Sequence, residues 1–161
     1  SDVYKRQNNH FWLLTKSCVQ LGAYPELPNA VELMPVDLLA TQIADLALAK
    51  LDGLHVVNLG NPHPLTESEF MDAVATHGGY ALAREEAPEW QQRLVDLPDE
   101  NALKPLVGLY QGDLTIASNP IERMRTQQLL DEIGAPSAPQ PAGLIPTYVN
   151  YLKGEGFLPN V

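Results

Sequence analysis

The chain has 161 residues, 45% of them hydrophobic, a formal net charge of −10 and a single cysteine. That length holds one domain with a real core. The acidic balance argues against a nucleic-acid partner and against an anionic membrane surface, both of which need a basic face. No apolar run approaches the roughly 20 residues that span a bilayer. Cys18 has no cysteine to pair with, which favours a reducing compartment, and four scattered histidines give no zinc spacing.

Residues Ser1 to Gln7 are polar and match nothing downstream. Their pattern resembles translated adapter sequence, so 1–7 read as a non-native or disordered end and Asn8 as a cut edge. From Asn9 the spacing predicts a helix with Phe11, Leu14, Cys18 and Leu21 on one face, stopped by Gly22 and kept stopped by Pro25 and Pro28. Cys18 in that stripe reads as a packed, inert thiol. Val31, Leu33 and Pro35 suggest a short extended segment. Asp37 is placed to cap a new helix carrying Leu39, Ile43, Leu46 and Ala47, with Asp52-Gly53 as its stop. His55 to Leu59 has the β-branched composition of a buried strand, and Gly60 to Pro64 turns the chain sharply. Helix, strand, turn, helix is the alternation of an α/β fold with parallel strands. There the loops leaving strand C-termini face the ligand crevice, which marks Asn58 to Pro64.

Thr66 and Glu69 have capping-box spacing, and Leu65 and Phe70 fit a hydrophobic staple; this helix runs through Val74 to Gly78-Gly79. Tyr80 to Arg84 reads as a short strand. Trp90, Leu94 and Leu97 mark a helix closed by Pro98, and Asn101 to Leu109 one or two helical turns. Leu114 to Ala117 reads as extended. Asn119-Pro120-Ile121-Glu122 is a helix start, with an asparagine cap and proline at the first helical position, and Gly134 is its end. Ala135 to Gly143 is a polyproline-like linker. Ile145, Tyr148, Val149 and Leu152 form a last apolar face, terminated by Gly154 and Gly156. Phe157-Leu158-Pro159 reads as a tail laid back on the body.

Chemical motifs are sparse. There is no G-x-G-x-x-G, no G-x-x-x-x-G-K-[ST], no Tyr followed four residues later by Lys, and no G-x-S-x-G. His55 reads as a satisfied core or edge histidine and His63 as a solvated turn residue. Glu67, Glu69, Glu85 and Glu86 read as helix-end and solvent-facing charges, not as a carboxylate pair. On these residues alone the chain is an acidic α/β piece without a complete active site.

Five blocks nevertheless make up an ordered pattern: Gln20-Leu21-Gly22-Ala23-Tyr24-Pro25, Pro35-Val36-Asp37 with its helix, Val57-Asn58 through Asn61-Pro62, Asn101 to Leu106, and Tyr148 to Pro159 with its Gly-Phe-Leu-Pro. In these the chain resembles the C-terminal part of thioester reductase domains. These are the terminal reductases of nonribosomal peptide and polyketide synthetases, related to carboxylic acid and aminoadipate reductases within the extended short-chain dehydrogenase/reductase superfamily. The resemblance covers about 8–161. It implies an α/β, helix-rich piece with few short strands, comprising the end of a Rossmann sheet plus a substrate-side subdomain.

For the complete protein, the resemblance implies NADPH-dependent release of a carrier-bound acyl or peptidyl thioester as an aldehyde or alcohol. The implied partner is a phosphopantetheine-bearing carrier protein or domain, in the cytoplasm. The family's dinucleotide loop and catalytic Tyr/Lys pair have no counterpart here, so no catalytic residue is carried over and this chain alone is expected to be inactive. What it would contribute is an apolar acyl channel and a docking face for the arm. The channel residues are Asn9 and Trp12, with Asn58, Asn61 and His63 from the crevice loop; Phe11 beside them reads as ordinary core. Two other readings stay open: part of a fatty acyl-CoA or nucleotide-sugar extended reductase, and a stand-alone acidic interaction module.

Overall fold

A computed structural model describes residues 9–116 and 122–161. In chain order the elements are α1 (His10–Leu21), β1 (Ala23–Pro25), β2 (Ala30–Val31), α2 (Val36–Leu48), β3 (Leu65–Thr66), α3 (Glu67–Gly78), β4 (Ala83–Glu85), α4 (Ala87–Arg93), a 3-10 helix (Lys104–Tyr110), α5 (Met124–Glu132), a 3-10 turn (Pro141–Gly143) and α6 (Ile145–Gly154). The chain is α/β, rich in helix and poor in strand, as the sequence leads one to expect. The helix start expected at Asn119 to Ile121, and Ala117 before it, lie outside the described residues.

Local chemistry sets most of the boundaries. Asn9 caps α1, its Oδ1 accepting from the Phe11 N–H at 3.0 Å. Gly22 closes the helix at φ 68°, a conformation that a side chain would strain. Thr66 and Glu69 form the reciprocal capping box at the start of α3: the Glu69 N–H donates to the Thr66 hydroxyl at 3.1 Å, and the Thr66 N–H donates to Glu69 at 2.7 Å. Thr66→Ala should therefore cost about 1 kcal/mol, while Thr66→Asp should be close to neutral. Urea denaturation checks this, and equal losses from both would mean that position 66 does not cap.

The sheets are small. β1 and β4 run parallel, with Ala23 opposite Ala83 and Pro25 opposite Glu85. β2 and β3 pair antiparallel, Ala30 opposite Thr66. One core joins them: Tyr24, Phe70, Val74, Trp90, Leu103, Ile145 and Val149 are almost wholly buried under α1, α3, α4 and α6. Trp90 donates its indole N–H to the Ala23 carbonyl at 3.2 Å. The tail does lie back on the body: Leu158 is buried, and the Tyr80 hydroxyl donates to the Pro159 carbonyl at 2.8 Å.

Three expectations are corrected. The segment His55 to Leu59 is not a buried strand. Among the described residues nothing pairs with it, and the Asn58 N–H donates instead to the Thr126 hydroxyl at 2.9 Å. Its side chains alternate between half-buried and exposed, with Val56 open to solvent. The parallel pair of the fold is β1 with β4 rather than a ladder through residue 57. Next, α2 does not bury its apolar stripe. Ile43 and Leu48 are 52% and 83% exposed, while Gln42 is buried and donates to the Pro136 carbonyl at 2.8 Å. The helix has turned a polar side chain toward the 135–140 segment, and Val36, Leu48, Leu54 and Val56 are left as exposed apolar side chains. Finally, Asp37 does accept from a free N–H of the new helix, that of Leu38 at 2.9 Å, but from inside the first turn and not from the cap position. Pro35 occupies that position, and the helix stops at Leu48, before Asp52-Gly53, because Ala49 is already extended.

Candidate functional site

A cavity of about 850 Å³ opens between the start of α1, the strand β2 with the residues that follow it, and α6. This is within the size range of small-molecule sites. Asn9, Trp12, Glu32, Leu33, Tyr148 and Tyr151 are among its lining. Aromatic rings give it stiff walls. Trp12 stands edge-on to Phe70 at 5.9 Å and to Tyr148 at 6.2 Å, and Phe11 packs on both Trp12 and Phe70. Burial, and then the nearby Asp37 charge, push the Tyr148 phenol above its ordinary range, so it stays a neutral donor.

The cavity's one carboxylate among the described residues is already held. Arg123 Nη2 reaches both oxygens of Glu32, at 2.8 and 2.9 Å. Gly60 makes room for this pair: a Cβ there would lie 3.0 Å from Arg123 Nε and 3.1 Å from Glu32 Oε2. What is left facing the cavity is mostly hydrocarbon and aromatic surface with a few hydroxyl and amide groups, suited to a long, weakly polar chain.

The five residues expected to line a channel separate into two groups. Asn9 and Trp12 line this cavity. Asn58, Asn61 and His63 are not in its lining. Asn58 is exposed and donates its amide to the Glu122 carbonyl at 3.0 Å. Asn61 is fully buried, donating to the carbonyls of Leu33 at 2.8 Å and Pro139 at 3.0 Å and accepting from the His63 N–H. His63 is exposed. The loop thus bears on the cavity from behind its wall, through Asn61, which fixes the backbone of Leu33, and through Gly60, which leaves room for Glu32 and Arg123. Sequence reasoning missed Glu32, Thr147 and Tyr151 as lining residues. Tyr148 and Tyr151, three apart on one helix with Thr147 beside them, were the available signal on α6; nothing local pointed to Glu32.

Cys18 is the inert thiol expected: it is 1% exposed, and burial first, then the Glu67 charge, drive its pKa far above the ordinary thiol range. Glu67 is a correction. It faces the interior, not solvent, with 9% of its surface exposed and Oε2 accepting from the Asn29 amide at 3.1 Å. Burial raises its pKa above the usual carboxylate value, outweighing the opposing pulls of Asn29 and His10. A carboxyl whose pKa rises on folding favours the folded state below its unfolded value, near 4.5, and loses that contribution as pH climbs through the raised value. Glu67→Gln should accordingly raise Tm by about 3 °C at pH 8 and change it little at pH 4. A pH-independent difference would mean that the carboxyl is not the cause.

No family model matches the chain. Two curated relatives are L-2-aminoadipate reductase large subunits. That of Candida glabrata is 28% identical over 164 residues, covering 90% of this chain and 12% of the relative. That of Eremothecium gossypii is 26% identical over 155 residues, covering 89% and 11%. Among solved structures, the terminal R domain of the myxalamid PKS-NRPS biosynthetic pathway superposes with a TM-score of 0.77 at 26% identity. It matches 92% of this chain and 39% of its own. The fold is that of part of a terminal reductase domain. A thiolation-reductase di-domain from an archaeal nonribosomal peptide synthetase shares the reductase-domain fold, with a TM-score of 0.75 at 20% identity over 95% of this chain and 32% of that one. The chain therefore spans about a tenth of the curated relatives and 32% to 39% of the solved chains. Among the described residues no helix of this reductase-domain fold is long and apolar enough to cross a membrane, and no His, Cys, Asp and Glu group could hold a metal.

Proposed function

We propose that residues 8–161 are the substrate-side, C-terminal part of an NADPH-dependent thioester reductase domain in the cytoplasm. The complete domain releases a chain carried on the phosphopantetheine arm of a carrier protein, as an aldehyde or alcohol. The observation that carries this reading is the superposition of 92% of the chain on a terminal reductase domain at a TM-score of 0.77. The mostly apolar 850 Å³ cavity supports it as the place for the acyl chain, with Asn9 and Trp12 at its wall and Asn61 holding Leu33 in position.

The residues described do not fit the cofactor. A dinucleotide's diphosphate sits on a glycine-rich turn that opens a helix. Here Gly22, Gly79, Gly134 and Gly156 follow helix ends, and Gly53 precedes an unpaired segment. NADPH is assigned to the rest of the domain, and this chain supplies the shape that excludes water from the thioester and orients it.

The test is reconstitution. Alone, the 161-residue chain should give no loss of nicotinamide absorbance with NADPH and an acyl-pantetheine thioester. Joined to the remaining N-terminal portion of a related terminal reductase, residues 8–161 should restore that loss and yield aldehyde or alcohol. Turnover by the chain alone, or a soluble and folded chimera without activity, would overturn the reading.

A further inference from the structure

A second cavity, of about 420 Å³, lies on the other side of the wall made by Phe11, Ala30 and Val31, between α1, the start of α3 and the Leu109 to Ile116 stretch. Glu67 lines it. Its burial is unusual for a carboxylate, because charge is removed from water only at a large cost unless something compensates. The compensation present is small. Oε2 accepts one amide hydrogen bond from Asn29, and Oε1, which keeps the residue's small remaining exposure, has no side-chain partner among the described residues. Asn29 cannot do more, since its amide also donates to the Leu114 carbonyl at 2.9 Å and its oxygen accepts from the Ile116 N–H at 2.8 Å.

The rest of the lining adds to the imbalance. Asp113 is a second carboxylate, and His10 is the one basic side chain among the described lining residues. Tyr110 is half-buried there, and its phenol is pushed up to about 12, first by burial and then by the Glu67 and Cys18 charges. The remaining lining is largely aliphatic. Such a space disfavours anions, and Glu67 is its one largely buried carboxylate, set among aliphatic side chains. A metal ion is a poor fit, because no group of three or more His, Cys, Asp and Glu side chains comes together among the described residues. A cation with directional N–H donors and an alkyl stem matches both the acceptor and the aliphatic walls.

We propose that this cavity binds the primary ammonium group of a small organic ligand, with Glu67 as its counter-ion and the aliphatic lining against its alkyl stem. The shared wall makes the ligand suited to be the far end of an acyl chain lying in the larger cavity, and that extension alone rests on the thioester reading.

The probe is n-pentylamine, with n-pentanol and valerate as its neutral and anionic counterparts, titrated into the 161-residue chain and followed by heteronuclear NMR. Pentylamine should shift the amides of Asn29, Glu67 and Tyr110 at least about tenfold more tightly than pentanol, and valerate should shift none of them. Glu67→Gln keeps the acceptor for Asn29 and should lower pentylamine affinity about tenfold while leaving pentanol unchanged. Asp113→Asn, at an exposed position, should reduce it less and guards against loss of fold in the first variant. Equal binding of amine and alcohol, or amine binding indifferent to Glu67→Gln, overturns the proposal. No enzymatic turnover enters these titrations, so a failed reconstitution of the reductase would leave their outcome standing.

Discussion

In the reconstituted reductase, Thr147→Trp raises the KM for a carrier-bound thioester about tenfold or more and leaves the KM for NADPH unchanged. Thr147 is exposed on α6 and lines the large cavity. An indole there therefore fills space without displacing core. The walls it meets cannot easily yield, because Trp12 and Tyr148 are packed edge to face and Trp12 is backed by buried Phe70. A ligand that must thread this space loses room, and one bound elsewhere is indifferent. Val95→Trp is the control: Val95 is 72% exposed just beyond the end of α4 and lines none of the cavities described, so neither KM should move. Steady-state kinetics with a loaded carrier measure both. Equal rises for thioester and NADPH, or none for either, would place the acyl chain elsewhere.

The largest effect on stability is expected at Trp90. Its side chain is wholly buried, donates to the Ala23 carbonyl of β1 and meets Tyr110 at 6.2 Å. Trp90→Ala should cost about 3–5 kcal/mol, the range for emptying a large aromatic seat. Against a typical domain stability of about 5–15 kcal/mol that is enough to leave much of the chain unfolded. Trp90→Phe keeps most of the packing and drops the indole donor, so it should cost about 1–2 kcal/mol. Urea denaturation followed by circular dichroism separates the two. Small and equal losses would mean that the seat collapses around either side chain and that the α4–β1 contact holds without it.

How much of this was legible in the sequence depends on how far each residue's partner lies along the chain. Asn9, Gly22, Thr66 and Glu69 act on neighbours within a turn, and their roles follow from local spacing. The tail that lies on the body was readable because Gly156 and an apolar pair sit just after a helix. The orientation of α2 was not readable. Its stripe is amphipathic by pattern, yet the side chain it buries is Gln42, whose partner is the carbonyl of Pro136, 94 residues on. Glu67 carries every local mark of a solvated helix start, and only Asn29, from a loop 38 residues earlier, shows that it faces inward. The site divides in the same way. Asn9 and Trp12 were accessible from the likeness to reductases, whereas Glu32 enters the wall through Arg123, 91 residues away, and a gap that only Gly60 permits. The crevice-loop inference placed Asn58 to Pro64 at the end of a buried parallel strand; with that strand unpaired among the described residues, the loop touches the cavity only from behind, through Asn61 and Gly60.

The parallel pairing of β1 with β4 also bears on the order in which the molecule assembles. Tyr24 and Arg84, opposite one another in register, are 60 residues apart, and the Arg84 guanidinium donates to the Tyr24 hydroxyl at 3.2 Å. Closing so long a loop is entropically slow and gains little until the ends meet. The helix α3, with its own cap, can form early within that loop, but the seat of Trp90 does not exist until β1 has found β4. Refolding should thus pass through a stage with much of the helical signal in place and Trp90 still in water. The rate-limiting step would be one of chain closure, slowed by mutations at Tyr24 and Arg84 and scarcely touched by those at Thr66.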